Sequence, residues 1–323
     1  MAAIQKLLNV ALPPLSFVLL LTLMLPILLF KILLHVKQLV CTDENMENKV
    51  VLITGAASGI GEQLAYAYGN RGALLSLVDI RMDKLVAVAD KARSLGSPDV
   101  TIIHADVSKL QDCHRFVDQT VNHFGRLDCL VNNAGIGWVS GFEDWNNDDS
   151  QFTPIMDVNF WGSVYGTLCA IPHLKTSKGR IIVISSVLAW FPLPIRTSIY
   201  NASKAALISY YETLRIELGG AIGITIVTPG LIKTDLGLRV IEEDENMGKI
   251  PMVSASELAE SIVKSACKGD MRLTEPSWMK VLLPLKVLYP QVVDWAFRFM
   301  FGIPSKETNS RTKGHSLTER KPE

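Results

Sequence analysis

Lys204 follows Tyr200 by four residues, so both side chains lie on one face of a helix. Oxidising a secondary alcohol requires a base that takes the hydroxyl proton as hydride leaves the carbon. A free tyrosine, with a pKa of ~10, serves poorly at neutral pH. A cation one turn away favours tyrosinate and lowers that pKa. Ordinary surface helices also carry such pairs, so the pair takes its meaning from what precedes it. Ser185 and Ser186 lie upstream at the end of an apolar run. Farther upstream, Gly55-Ala56-Ala57-Ser58-Gly59-Ile60-Gly61 joins the apolar run Val50–Thr54 to a helical pattern. Glycines suit a sharp turn that a pyrophosphate approaches closely, and a helix N-terminus offers that anion free N–H groups. No lysine follows the last glycine, which excludes a Walker A loop. Asp79 closes the next apolar run, close to the ~20 residues past the glycines where an acid binds the adenosine ribose. Gly55, Ser58, Gly59, Ile60, Gly61 and Asp79 are therefore expected to hold a dinucleotide.

Positioning these groups takes a frame of strands that end together. Short apolar runs at Val50–Thr54, Leu74–Asp79, Val100–His104, Cys129–Asn132, 180–185 and 224–228 alternate with helical patterns. The helical patterns cover 61–71, 84–95, 110–124, 155–173 and 198–218. Continuous apolar strands separated by helices predict a doubly wound, Rossmann-like parallel sheet of α/β class. After Pro229 the alternation fails: 231–252 reads as a mobile lid and 254–267 as one more helix.

The 323 residues are 48% hydrophobic and 20% charged, with 32 basic and 32 acidic side chains. No basic excess or zinc-finger spacing points to a nucleic-acid partner. The five cysteines, Cys41, Cys113, Cys129, Cys169 and Cys267, form no CxxC pair and read as reduced thiols. His104, His114, His123 and His173 show no metal-ligand spacing, so no metal is expected.

Residues 7–30 contain no charge. As a helix they reach about 36 Å, enough for a ~30 Å hydrocarbon core. Pro13, Pro14 and Pro26 leave two shapes open, a kinked single span or a hairpin in one leaflet. Lys31 and Lys37 after the run put the downstream domain on the cytosolic side. The expected order is a membrane anchor (1–40), a polar stalk (41–49), a catalytic domain (50–275), an apolar segment (276–304) and a disordered tail (305–323). The apolar segment reads equally as packing or as a second membrane contact.

A set of motifs runs in order from 47 to 234. It comprises Gly55-xxx-Gly59-Ile60-Gly61, Asp106-Val107, Asn132-Asn133-Ala134-Gly135, Asn159, Ser185-Ser186, Tyr200-xxx-Lys204 and Pro229-Gly230. This set resembles the short-chain dehydrogenase/reductase family. More narrowly, the chain resembles plant 11β-hydroxysteroid dehydrogenase-like proteins, the steroleosins of oil bodies. That likeness rests on the anchor with its Pro13-Pro14-x11-Pro26 arrangement and on the runs starting at Asn159 (NFWGSVY) and Thr274 (TEPSW). The resemblance implies an NAD(P)-dependent oxidoreductase on a lipophilic, sterol-like substrate. It implies Tyr200 as general acid/base, Lys204 as its tuner and ribose ligand, Ser186 as the substrate-oxygen ligand and Asn159 behind a water relay. Asp106 and Val107 would meet the adenine end, Asn132 and Gly135 the nicotinamide side, and Thr234 the carboxamide. Endoplasmic reticulum or lipid-droplet surface is the implied location, and a homodimer a further expectation. The step from Ser186 to Tyr200 is one residue longer than in most relatives, where Val187 would hold the serine's place. An insertion within 192–196 is the reading adopted, with Ser185 as the alternative. From Asp79, with Ile80 and Ser58 where NADP enzymes place a cation, NAD is expected over NADP; Arg81 counts the other way.

Overall fold

The computed structural model describes residues 2–40, 44–137, 152–191, 193, 196–243, 247–248 and 250–301. The expected disordered tail lies outside these residues, as do most of the expected insertion and part of the stalk. The chain divides into two compact units, Met1–Glu44 and Asn45–Glu323.

The first unit is one helix, α1 (Ala2–Val40), with Pro13, Pro14 and Pro26 inside it. The structure draws this segment as one continuous helix through all three prolines. Each proline removes one backbone bond, and a helix of 39 residues keeps the others on both sides. The hydroxyls of Ser16 and Thr22 donate back to the carbonyls of Pro13 (2.8 Å) and Leu19 (2.9 Å), so neither faces apolar surroundings unpaired. Its apolar stretch Ile4–Phe30 has a mean hydropathy of 2.3. By length and composition it is a candidate membrane span.

In the second unit, chain order runs β1 (Val50–Thr54), α2 (Gly59–Gly69), β2 (Leu74–Asp79), α3 (Met82–Ser94), β3 (Val100–His104), α4 (Leu110–Phe124) and β4 (Cys129–Asn132). There follow α5 (Thr153–Met156), a π-helical turn (Asp157–Trp161), α6 (Gly162–Ser177), β5 (Arg180–Ile184), α7 (Ser198–Glu217) and β6 (Gly223–Pro229). The chain continues through β7 (Ile232–Lys233), α8 (Asp235–Glu243), β8 (Val253–Ser254), α9 (Ala255–Cys267), β9 (Arg272–Glu275), α10 (Leu282–Leu288) and α11 (Pro290–Met300).

Seven strands form one parallel sheet in the order β3-β2-β1-β4-β5-β6-β9. Side chains alternate across it, as a pleat requires. In β1, Val51 and Ile53 join the core beneath α2, α3 and α9, while Val50 and Leu52 join the core beneath α4, α6 and α7. Strand order reverses between β1 and β4, and the crevice beyond the carboxyl ends of these two strands is where ligands bind in open α/β sheets.

Two stretches depart from the sequence reading. A seventh strand, β9, pairs with β6 where no strand was expected. Residues 231–252, read as a lid, contain β7 and α8, and β7 pairs in parallel with β8.

One buried polar cluster crosses the α6–α7 side. Tyr211 Oη donates to the Ser163 carbonyl (2.9 Å), accepts from Asn132 Nδ2 (2.9 Å) and lies 2.6 Å from Thr167 Oγ1. Tyr211→Phe would leave these groups short of a partner in a dry interior, at a cost of about 1–3 kcal/mol. Thermal unfolding followed by circular dichroism should show a Tm lower by roughly 2–4 °C per kcal/mol. An unchanged Tm would mean that the cluster adds nothing to stability.

Candidate active site

The glycine turn is pressed against the end of β4. Gly55 and Gly59 adopt φ of +65° and +59°, a region costly for side chains. A Cβ on Gly55 would stand 2.7 Å from Ala134 Cα, and one on Gly61 2.6 Å from Asn133 Nδ2. Asn133 Nδ2 donates to the carbonyls of Thr54 (2.9 Å) and Gly55 (3.1 Å), clamping the turn. Thr54 Oγ1 accepts from the amides of Asn133 (3.1 Å) and Ala134 (3.2 Å). Ser58 is the N-cap of α2 but its side chain makes no capping bond, leaving the first-turn amides of Gly59, Ile60 and Gly61 to an outside acceptor. This cradle, with the helix dipole behind it, fits a pyrophosphate. The Ile60 side chain packs inward on the core, so only its backbone faces the crevice. Thr234 sits beside the turn, its methyl 3.2 Å from where a Gly59 Cβ would be. Its hydroxyl accepts from the Gly237 amide (3.2 Å) and so starts α8.

Asp79 is buried at the end of β2, where it accepts from the Ala57 amide (3.1 Å). Arg81 closes on it in a fork, Nε to Oδ1 and Nη2 to Oδ2, each at 3.0 Å. Arg81 Nη2 also donates to Ser58 Oγ (3.0 Å). Burial works against the Asp79 charge, but the hydrogen bonds from Arg81 and Ala57 outweigh it and hold the carboxyl below its usual range.

The remaining expected cofactor residues divide. Asp106 Oδ1 accepts from the amide (3.0 Å) and hydroxyl (2.7 Å) of Ser108, fixing the turn into α4. Val107 packs on Gly162, where a Cβ would come within 2.7 Å of it. Asn132 does not offer its side chain to the crevice: it is buried beneath the sheet, bonded to Thr167 and Tyr211. Its neighbour Asn133 takes the position at the turn. The pleat explains the exchange, since adjacent residues point to opposite faces.

The catalytic candidates meet at the ends of β4 and β5. The Ser186 side chain faces Tyr200, where its hydroxyl favours the phenolate, and its Oγ accepts from the Leu188 amide (3.1 Å). Ser185 points the other way and donates to the Lys204 carbonyl (2.8 Å), while Val187 is buried. The longer step to Tyr200 therefore leaves Ser186 facing the tyrosine. Lys204 is 4% exposed; its Nζ donates to the Ile184 carbonyl (2.9 Å) and lies 5.7 Å from the Tyr200 ring centroid. A Cβ on Gly135 would sit 3.3 Å from both Lys204 Nζ and Asn159 Oδ1, so that glycine leaves open the space above the ammonium. Asn159 Oδ1 accepts from the Ile136 amide (2.8 Å), and Nδ2 donates to the Ile136 carbonyl and to Ser203 Oγ, both at 3.0 Å. Ser203 Oγ in turn donates to the Tyr200 carbonyl (2.7 Å). The Asn159 side chain is thus a brace between β4 and α7, and the π-helical turn that carries it marks a local departure from regular helix. Leu236 of α8 approaches Gly137 beside the tyrosine ring.

The expected lowering of the Tyr200 pKa by Lys204 is not what the site does. Burial pushes Tyr200 up to about 12, against which its hydrogen bond with Ser186 works downward. The same burial brings Lys204 down to about 8. Desolvation weakens both charged forms. Thr54, Asn133 and Ser203 are the participants that the sequence reading did not assign, and Arg81 it had weighed only toward a 2′-phosphate. Asn133 lay within a motif that reading had already singled out.

Known proteins resemble this chain in sequence and fold. The sequence pattern of the short chain dehydrogenase family matches residues 49–245. The 11-beta-hydroxysteroid dehydrogenase A of Sesamum indicum is 47% identical over 95% of this chain and 92% of its own. An alcohol dehydrogenase from Thermococcus sibiricus, solved with 5-hydroxy-NADP, superposes with a TM-score of 0.62 at 26% identity, over 71% of this chain and 96% of its own. A short chain dehydrogenase/reductase from Burkholderia phymatum, solved with NAD, shares the fold, with a TM-score of 0.69 at 23% identity, over 77% of this chain and 96% of its own.

The two serines separate by experiment. Ser186→Ala, which removes the hydroxyl facing Tyr200, should cut kcat/KM about tenfold or more with Tm unchanged. Ser185→Ala, which removes a buried tie to α7, should lower Tm and spare most of the turnover. The reverse pattern would assign the site to Ser185.

Proposed function

The chain belongs to the short-chain dehydrogenase family of oxidoreductases, and from that premise we propose that it interconverts a secondary alcohol and a ketone on a lipophilic, sterol-like substrate at a membrane or lipid-droplet surface. The observation that carries the reading is Ser186 facing Tyr200 beside the buried Lys204 at the carboxyl end of β5. A nicotinamide dinucleotide, when bound, supplies or takes the hydride. Gly55, Ser58, Gly59, Ile60 and Gly61 hold its pyrophosphate, Asp79 its adenosine ribose, and Lys204 its second ribose. Asp106, Val107, Gly135 and Thr234 line its path.

The chain's own groups handle the oxygen and the proton. Ser186 donates to the substrate oxygen and fixes its distance from Tyr200. In reduction Tyr200 gives its phenolic proton to that oxygen; in oxidation it takes the hydroxyl proton. With Tyr200 pushed up to about 12, the phenol is protonated at neutral pH and is the proton donor in the reductive direction. The substrate class is supported by the name of the sesame relative, and the lipid location by the apolar α1.

Asp79 favours NAD, because a 2′-phosphate brought to a buried carboxylate meets like charge. Arg81 narrows that preference, since it already occupies both carboxylate oxygens.

Purified full-length protein assayed against steroid ketones and alcohols tests the reading. Tyr200→Phe should lower turnover by a factor on the order of 10² or more while binding dinucleotide normally; near-normal turnover would remove Tyr200 as the acid/base. Reduction needs Tyr200 protonated and Lys204 charged. Its kcat/KM should therefore be flat below pH ~8 and fall above it, whereas oxidation should rise with pH. A reduction rate that climbs through pH 8 would contradict the assignment. Cofactor choice is read from kcat/KM with each dinucleotide. Arg81→Ala should strengthen the preference for NAD, and Asp79→Ala should shift it toward NADP. A wild-type ratio favouring NADP would assign Arg81 to the phosphate.

A further inference from the structure

Past β9 the chain builds α10 and α11, whose outer surface nothing else among the described residues of the second unit covers. At ~100° per residue, α11 presents three arcs. Val293, Ala296 and Phe297 are half-buried, and Gln291, Asp294 and Arg298 form a polar strip. The third arc is apolar and open: Val292, Trp295 and Phe299 are 59%, 67% and 77% exposed. Trp295 and Phe299 stack with ring centroids 5.8 Å apart, and α10 adds the exposed Val287 and Leu288. An exposed apolar face of this extent marks an interaction surface.

Its composition selects the partner. From 277 to 300 the charges are Lys280, Lys286 and Arg298 against Asp294 alone, and the aromatic residues include Trp278, Tyr289 and Trp295. Basic residues beside apolar bulk, with tryptophan and tyrosine among them, describe a helix lying in the interface of a bilayer that carries anionic headgroups. The same chain carries an apolar helix long enough to span a membrane. We propose that the Val292–Trp295–Phe299 face, with Val287 and Leu288, docks into the headgroup–acyl boundary of an anionic lipid surface as a second contact, distinct from α1. The inner side of α11 gives that contact a consequence. Phe297 meets Phe191 edge to face, centroids 4.8 Å apart, and Phe191 closes the turn that follows Ser186. Lipid docking thus bears on the turn that follows Ser186, a consequence for catalysis that rests on the oxidoreductase reading above.

The test needs no turnover and so fails or succeeds independently of that reading. Full-length protein with Val292→Cys is labelled with a nitrobenzoxadiazole fluorophore, the wild-type chain labelled in parallel as background. It is reconstituted into phosphatidylcholine–phosphatidylserine vesicles with plain or brominated acyl chains. The control is Ile216→Cys, 82% exposed in the last turn of α7 and about 24 Å along that helix from Tyr200. Blue-shifted emission and several-fold stronger quenching by brominated lipid at 292 than at 216 is the expected result. Lys280→Glu with Lys286→Glu and Arg298→Glu should reduce it. Equal quenching at the two positions, or none at 292, overturns the proposal. Shielding of 292 that grows with protein density without lipid quenching also overturns it, and gives the face to a second copy of the chain.

Discussion

A lysine ammonium buried among uncharged groups constrains most of the catalytic unit. Lys204 has its pKa held at about 8 instead of its usual 10.5, which weighs roughly 3 kcal/mol against the folded state at neutral pH. The sign follows from linkage. The unfolded chain holds this proton more tightly than the folded one, so the deficit is full below pH 8 and shrinks as pH rises toward 10.5. A fold tolerates such a group only where its donors are met and its surroundings are fixed. β5 stops at Ile184, whose carbonyl takes one N–H. Gly135 keeps the volume above the ammonium empty, and Asn159 locks the segment holding Gly135 to α7 through Ile136 and Ser203. Four separate stretches of chain thus converge on one charge, which explains why their order in the sequence was so readable.

Readability followed burial. The strands of the inner sheet are flanked by strands on both sides and covered on both faces, so each had to be an unbroken apolar run, and each appears within one residue of its expected place. β9 is an edge strand of mixed composition, RLTE, and carries no such run. α8 belongs to a stretch where glycines and charges mask its periodicity. What the sequence could not give was direction. Asn132 and Asn133 are chemically identical, and only the pleat decides that one braces Tyr211 while the other clamps the glycine turn. Ser185 and Ser186 divide in the same way, one toward the helix backbone and one toward the tyrosine.

Electrostatics departed further from the residue-by-residue reading than geometry did. A tyrosine and a lysine four apart imply mutual stabilisation of phenolate and ammonium in a solvated helix. Here both are withdrawn from water, and desolvation shifts each toward its neutral form. The Ser186 hydroxyl is the neighbour that favours phenolate, so it acts on the base as well as on the substrate oxygen.

The adenosine end follows the same logic with the opposite outcome. Asp79 is also buried, yet it keeps its charge because four N–H groups, the amides of Ala57 and Arg81 and two of the Arg81 guanidinium, converge on it. A carboxylate so satisfied is a weaker ribose acceptor than a bare one, since any new hydroxyl bond displaces one already made. A phosphate arriving there would need Arg81 to exchange partners, from Asp79 and Ser58 to the phosphate. Discrimination between the two dinucleotides is a difference between these two exchanges. It therefore belongs to the Asp79–Arg81–Ser58 unit as a whole, which a reading of Asp79 alone could not capture.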